Sequence, residues 1–312
     1  MRGSILHRDV AILLEKNIKH RPKPVLFCYF QSMHSTTLEV FAEIDGIGSA
    51  SGLFLHADLL HIIGDNSGHL NEYNIKTKAL RKIQILFDKA PDQLENIPKS
   101  LKPDFEILCQ HGNKLYILGS GSTSKRNLMI EFNLETKKVV QKDLTETYTR
   151  LKSIAKIDEH NFNLEGAIFT GKEWLLFNRG NGIDAKNGRF KIEGADLTKA
   201  DRIKFNSFKL PNINHVESSF TDAALVKNEI FFIATAEDTK STYTDGEILG
   251  SFIGSINLQT LKLTFSNKIS DNHKFEGITL LSQSKHNTSF LLCEDRDNEE
   301  LKTVIYKLVI SH

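Results

Sequence analysis

The sequence contains little of what stabilises small secreted or fibrous proteins. It has 3 cysteines, 6 prolines and 1 tryptophan among 312 residues, and no cysteines form a CxxC pair. This composition excludes a collagen-like chain and a disulfide framework. We therefore expect Cys28, Cys109 and Cys293 to be buried thiols.

An excess of charge of one sign is also absent. Lys plus Arg number 40 and Asp plus Glu number 39, so the formal net charge is +1. Because broad positive fields drive nonspecific binding to nucleic acids and anionic membranes, we expect neither partner. Charged residues interrupt the early apolar runs at 10–14 and 25–30, and no signal-peptide cleavage pattern follows them. The protein is therefore expected to be cytoplasmic, while its oligomeric state is left open.

Short apolar strands bounded by Gly, Asn, Asp and Ser recur through the chain, and five segments share one pattern. Each has a small or acidic residue, a small or apolar pair, an apolar strand and a polar turn. The first residues of the pattern are 55 to 59 positions apart. They are Ser51, Glu106, Glu165, Thr221 and Glu276. A period just above 50 with about four strands per unit is typical of propeller blades.

The repeat predicts an all-β fold, a five-bladed β-propeller over residues 34–312, with residues 1–33 as an N-terminal extension. Six blades remain an alternative if the N-terminal strands form a degenerate blade. The last repeat is too short to contain an outer strand, so we expect residues 37–44 (TLEVFAEI) to supply it and close the ring. Residues 92–101 and 143–154 are either helical inserts or plain connectors.

Residues at one repeat position of the innermost strands form a ring around the axis of a propeller. Three carboxylates and two hydroxyls would therefore meet at one place, and each pair of glutamates about 7 Å apart repels by about 2 kcal/mol at an effective dielectric constant near 20. A hard cation suits a set of ligands that are all oxygen atoms and would neutralise them, and Ca²⁺ is the leading candidate. The alternatives are protonated or water-bridged carboxylates, or hydrogen bonds from strand N–H groups. The predicted metal-binding residues are Ser51, Glu106, Glu165, Thr221 and Glu276.

A second layer of polar residues follows from the same topology, because the turns after the second strand of each blade return to this face. We expect these turns to form a ligand pocket. Its predicted residues are Asp65, Ser120, Ser122, Arg179, Asn181, Glu237, Asp238 and Asp295. Asp and Asn are also ordinary turn residues, so turn chemistry is the alternative. Arg179 is predicted either to clamp a ligand carboxylate or phosphate, or to pair with Glu237 or Asp238.

The repeated segments resemble an uncharacterised bacterial β-propeller family. Its motifs SASGL, KPDxE, LGSGST, EGA, RGNG, TDA, AEDT and EG(I/V) stand at residues 49–53, 102–106, 118–123, 165–167, 179–182, 221–223, 236–239 and 276–278. More distantly, the ring resembles that of the calcium-dependent apyrases, which are five-bladed nucleotidases, and phytase-like propellers share the blade pattern. This resemblance implies that the five ring residues are calcium ligands, directly or through water.

Two functions are compatible with these residues. The first is metal-dependent hydrolysis of a phosphate ester or anhydride, in which Glu165 orients water and Arg179 offsets developing charge. The second is a noncatalytic propeller that binds a small molecule, a phosphorylated ligand or a protein segment. The absence of a recognisable pair of nucleophile and base in the sequence favours the second.

Overall fold

Twenty-two β-strands and one α-helix make up the part of the chain that the computed structural model describes. That part is residues 35–312 without 88–89, 183–185, 240, 242–245 and 296–299. The predicted extension at 1–33, which includes Cys28, lies outside the described residues. Residues 34–312 form one unit, and its first strand, β1 (Ser35–Asp45), precedes the five repeats.

Each of the first three blades is a four-stranded antiparallel sheet whose strands follow one another along the chain. Blade 1 contains β2 (Ala50–His56), β3 (Leu59–Gly64), β4 (His69–Asn74) and β5 (Leu80–Gln84). Blade 2 contains β6 (Phe105–His111), β7 (Lys114–Gly119), β8 (Leu128–Asn133) and β9 (Val139–Asp143). Blade 3 contains β10 (Leu164–Phe169), β11 (Glu173–Asn178), β12 (Gly188–Glu193) and β13 (Arg202–Ser207).

The remaining strands form two further blades and a small hairpin between blades 3 and 4. The hairpin contains β14 (Asn212–Ile213) and β15 (Val216–Glu217). Blade 4 contains β16 (Ser219–Val226), β17 (Glu229–Asp238), β18 (Glu247–Asn257) and β19 (Leu263–Ser270). The C-terminal part of blade 5 contains β20 (Phe275–Gln283), β21 (Asn287–Glu294) and β22 (Lys302–Ser311).

The chain closes the propeller with its first described strand. β1 pairs antiparallel with β22, with Ser35 opposite Ser311 and Asp45 opposite Lys302, and so becomes the outer strand of blade 5. The pairing covers the edge that β22 would otherwise expose. Both the five-bladed architecture and the closing strand predicted from the sequence are confirmed.

The connectors between blades differ from one another in structure. The insert predicted at 143–154 is the helix α1 (Thr145–Ala155), which buries Tyr148 and Leu151 against the blades. Of the two alternatives for 92–101, the structure shows the plain connector, because this segment contains only part of a 3₁₀ turn, Pro91–Gln93. Asn96 has a left-handed φ of 49°, and a proline follows two residues later, so a helix cannot continue.

The core lies within the blades and between neighbouring blades, where apolar side chains of facing sheets pack together. Cys109 and Cys293 are buried free thiols, as the sequence predicts, and burial raises the pKa of both. None of the helices among the described residues is both long and apolar enough to span a membrane.

Candidate functional site

The five ring residues occupy the same place in their blades, at a β-bulge in the innermost strand. The pairing of each innermost strand with the next strand skips one residue there, and the skipped residues are those of the predicted ring. They are Ser51, Glu106, Glu165, Thr221 and Glu276. A bulge removes a residue from the ladder and redirects its side chain, which explains why a polar residue is accommodated in an otherwise apolar strand. All five side chains are buried.

Each innermost strand contacts the innermost strand of the next blade. Because β20 of blade 5 also contacts β2 of blade 1, the ring is closed. Its two hydroxyl residues connect neighbouring blades. Ser51 Oγ donates to the Phe105 carbonyl at 2.5 Å, and Thr221 Oγ1 donates to the Phe275 carbonyl at 2.6 Å. Each acceptor directly precedes a ring glutamate of the next blade. The two hydroxyls therefore fix the backbone next to Glu106 and Glu276.

Arg179, which follows β11, connects three carboxylates. Its guanidinium lies 3.2 Å from Glu165 Oε1 and 4.0 Å from Glu276 Oε1, and it forms a close ion pair with Glu237. Glu165 Oε1 also accepts a hydrogen bond from Asn163 Nδ2 at 2.5 Å. Of the two roles predicted for Arg179, the structure shows pairing with Glu237.

Lys274 is a second cation that contacts a ring glutamate. Its Nζ lies 3.0 Å from Glu276 Oε1 and 4.0 Å from Asp295 Oδ2. Thus Glu165 and Glu276 both have cationic partners supplied by the protein.

A second charged group lies at the seam of blades 1 and 2. Lys102 forms a close ion pair with Asp65 and lies 2.8 Å from Asp104 Oδ1. Arg126 Nη1 lies 2.7 Å from Asp104 Oδ2 and donates at 2.7 Å to Ser122 Oγ. The Ser120 hydroxyl also donates to Asp104. Asp104 is therefore the acceptor around which the turn residues of blade 2 are arranged.

Glu106 connects this group to the ring. An oxygen of each of Asp65, Asp104 and Glu106 lies within 4.8 Å of the other two, and among the described residues this is the acidic group close enough to hold one ion. Glu165 and Glu276 are not part of it. Glu106 Oε2, Asp65 Oδ1 and Glu165 Oε2 are buried, and none of them has a hydrogen-bond partner among the described residues.

Together these residues form what we call the axial cluster. Its carboxylates are Asp65, Asp104, Glu106, Glu165, Glu237, Glu276 and Asp295, and its cations are Lys102, Arg126, Arg179 and Lys274. Seven carboxylates face four cations, a formal charge of −3 when all are ionised. Since the cluster is largely shielded from water, this excess is not screened as it would be on the surface.

Burial acts to raise the pKa of the cluster carboxylates Glu106, Glu165 and Asp104, and neighbouring charges add to that shift or oppose it depending on their sign. Burial raises the pKa of Glu106 well above its usual range, and the nearby Glu165 and Asp104 raise it further. Burial also raises the pKa of Glu165, although Arg179 opposes that shift. For Asp104, burial raises the pKa, but Lys102 and Arg126 lower it by more. Glu106 is therefore the ring carboxylate whose negative charge is least compensated by the protein.

The structure brings most of the predicted pocket into the cluster. The residues that lie there are Asp65, Ser120, Ser122, Arg179, Glu237 and Asp295. Asn181 is half-buried, its amide nitrogen donates to the Ser241 carbonyl at 3.4 Å, and its Oδ1 accepts no hydrogen bond from the part of the chain that the structure describes. Asp238 is exposed at the end of β17.

Sequence reasoning missed Lys102, Asp104, Arg126 and Lys274. A signal for two of them was present, because the residue two positions before each ring residue is polar in every repeat. These residues are Ser49, Asp104, Asn163, Ser219 and Lys274. Lys102 and Arg126 do not stand at this repeated position, and each has a partner from another turn.

Comparisons with known proteins agree with the fold. The model of a family described as a family of unknown function, DUF6929, matches residues 46–310. A search of curated proteins returns no match. Among solved structures, Myxococcus xanthus glutaminyl cyclase is similar with a TM-score of 0.50 and 9% identity, covering 88% of this chain and 97% of its own. The Malassezia sympodialis allergen Mala s 1 has a TM-score of 0.51 and 10% identity, covering 85% and 95%. At such identities the likeness concerns the fold alone.

Proposed function

We propose that this chain, which belongs to the DUF6929 family, is a binding propeller whose axial cluster holds a divalent cation and, beside it, a small polar molecule. Calcium is the cation that its donors favour. The observation that carries the proposal is that Glu106 and Asp65, which lie close together, each keep one buried oxygen that accepts no hydrogen bond from the described residues.

A carboxylate oxygen buried without a donor is costly, because it loses hydration and gains no replacement. These oxygens expose almost no surface, so water from bulk solvent does not compensate them. A divalent cation would satisfy them and reduce the formal charge of the axial cluster from −3 to −1. Calcium accepts six to eight oxygen ligands in irregular arrangements, whereas magnesium requires a small octahedral shell.

Glu106 is the ring residue best placed to hold the ion, with Asp65 and Asp104 beside it. Ser51 and Thr221 donate their hydroxyl protons to carbonyls, which leaves oxygen lone pairs available. Glu276 is engaged by Lys274 and Arg179. A bound calcium ion would supply positive charge and coordination positions for oxygen atoms of a ligand.

The partners of Arg179 favour binding over hydrolysis. Its guanidinium already contacts Glu165, Glu237 and Glu276, so its charge is used within the protein. To offset charge developing on a phosphoryl group, Arg179 would have to leave these carboxylates.

Thermal melting tests the cation. The protein is first freed of metal with EDTA and then titrated separately with calcium and magnesium. A ligand that binds only the folded state stabilises it by RT ln(1 + [L]/Kd), about 2.7 kcal/mol at 100 times Kd. We expect calcium to raise the melting temperature by several degrees and magnesium to raise it much less. An unchanged melting temperature at millimolar calcium would contradict the proposal.

A substrate screen separates binding from catalysis. Nucleoside diphosphates and aryl phosphates are incubated with the protein in calcium and in EDTA. We expect no turnover in either condition. Calcium-dependent turnover that disappears in Glu165→Gln would contradict a purely binding function and show that the protein is a hydrolase.

A further inference from the structure

We infer that the cation lies off the propeller axis, at the seam of blades 1 and 2, held by Asp65, Asp104 and Glu106, and that Lys102 competes with it for these carboxylates. This assignment rests on the proposed function. It names the residues that bind the cation and the residue that regulates the affinity of the protein for it. Asp65 and Asp104 are not ring residues, so this site differs from the five-residue calcium site that the repeat predicts.

The backbone fixes the three carboxylates relative to one another. Asp65 follows β3 of blade 1, while Asp104 and Glu106 lie at the start of β6 in blade 2. The Asp104 N–H donates to the Asp65 carbonyl at 3.0 Å, and the Ser120 N–H donates to the Asp104 carbonyl at 2.9 Å. An oxygen from each carboxylate therefore lies within 4.8 Å of the other two without requiring any movement of the blades.

Two of these side chains present an oxygen that nothing in the described structure satisfies. Asp65 and Glu106 are each only 8% exposed, and Asp65 Oδ1 and Glu106 Oε2 have no hydrogen-bond partner. Two buried acceptors without donors in one cluster of carboxylates indicate a cationic ligand. The other ring glutamates are less suitable, since Arg179 and Lys274 already contact them.

Lys102 occupies the oxygens that a cation at the seam would need. Its ammonium contacts Asp65 Oδ2 and Asp104 Oδ1, whereas Arg126 contacts the other oxygen of Asp104. Movement of Lys102 would thus free one oxygen on each aspartate and leave Asp104 paired with Arg126. The Lys102 side chain is 13% exposed, more than any other cation of the axial cluster, and its flexible stem allows the ammonium to reach solvent.

The effect of removing Lys102 on calcium affinity distinguishes competition from a structural role. A lysine that only supports the fold would weaken calcium binding when it is removed, because the site would be damaged. A lysine that competes with the ion would destabilise the metal-free protein when it is removed, and yet strengthen calcium binding. The two roles therefore predict opposite changes in affinity.

Isothermal titration with calcium distinguishes these roles in Lys102→Met, Asp65→Asn and the wild type. We expect Lys102→Met to melt at a lower temperature in EDTA and to bind calcium at least tenfold more tightly. Asp65→Asn should bind calcium at least tenfold more weakly. Lys274→Met is the charge-matched control, because it removes a buried ammonium from the other side of the cluster. Its gain in affinity should be clearly smaller.

The outcomes separate the inference from the proposed function. If the wild type binds no calcium, the proposed function fails. If the wild type binds calcium but Lys102→Met binds it no more tightly than the wild type or than Lys274→Met, the competition is wrong. If Asp65→Asn binds calcium as tightly as the wild type, the ion does not lie at the seam of blades 1 and 2. This variant tests the position of the ion even if Lys102→Met does not fold.

Discussion

Replacement of Arg179 by methionine is expected to lower the free energy of unfolding by about 3–5 kcal/mol at neutral pH. The methionine side chain fills similar volume but leaves Glu165, Glu237 and Glu276 without their shared cation. Removing one partner of a buried ion pair costs more than the pair contributes, because the remaining charges stay out of water. Chemical denaturation measures this loss.

Arg189→Met is the matched control for this substitution. Arg189 in β12 is also buried, but it hydrogen-bonds to Asn206 at 3.2 Å and has no carboxylate within ion-pair distance among the described residues. Its replacement should cost about 1 kcal/mol, the contribution of one hydrogen bond. Equal losses in the two variants would show that the carboxylates around Arg179 do not need its charge.

Acid should partly rescue the Arg179→Met variant. Burial already raises the pKa of Glu165 and Glu276, and Arg179 opposes that shift in both. Without Arg179, the folded variant binds protons more readily than the unfolded chain, so its stability falls as pH rises from about 4.5 toward the raised pKa values. The difference in free energy of unfolding between the variant and the wild type should therefore become smaller as the pH is lowered from 7 to 5. A difference that widens in acid would contradict this explanation.

Glu106→Gln is expected to weaken calcium binding at least a hundredfold while leaving the metal-free protein as stable as the wild type, or more stable. Glutamine has nearly the same shape and carries no charge, so the buried carboxylate with an unpartnered Oε2 is removed. Burial disfavours that carboxylate in the absence of an ion, as the raised pKa of Glu106 indicates. Calcium titration and melting in EDTA measure the two effects.

Glu131→Gln serves as the control for a paired carboxylate outside the cluster. Glu131 lies in β8 and pairs with Lys114 and Lys142, so its replacement should leave calcium affinity unchanged. The Glu106 prediction is wrong if Glu106→Gln binds calcium like the wild type. A large loss of stability in EDTA would also oppose it, since it would mean that the ionised carboxylate stabilises the metal-free fold.

The repeat made much of the fold predictable from the sequence. Regular spacing of Ser51, Glu106, Glu165, Thr221 and Glu276 fixed the number of blades, and the short last repeat required a strand from elsewhere. The same spacing predicted that these five residues occupy equivalent positions. In the structure each of them lies at the β-bulge of its innermost strand.

The partners of the ring were not predictable in the same way. Lys102 meets Asp65 across the seam of two blades, and Lys274 lies near both Glu276 and Asp295. Such contacts depend on how turns approach each other, which repeat spacing does not specify. The choice between helix and connector at 92–101 has a local cause, since the left-handed backbone conformation at Asn96 interrupts any helix there.

Diffraction from crystals grown in calcium, recorded where calcium scatters anomalously, tests the cation site most directly. We expect an anomalous peak about 2.3–2.6 Å from a carboxylate oxygen of Glu106, the usual distance for calcium and oxygen. Crystals of Glu106→Gln in the same solution should lack the peak. Wild-type maps without anomalous density beside Glu106, at calcium concentrations in the millimolar range, would contradict the presence of a cation in the axial cluster.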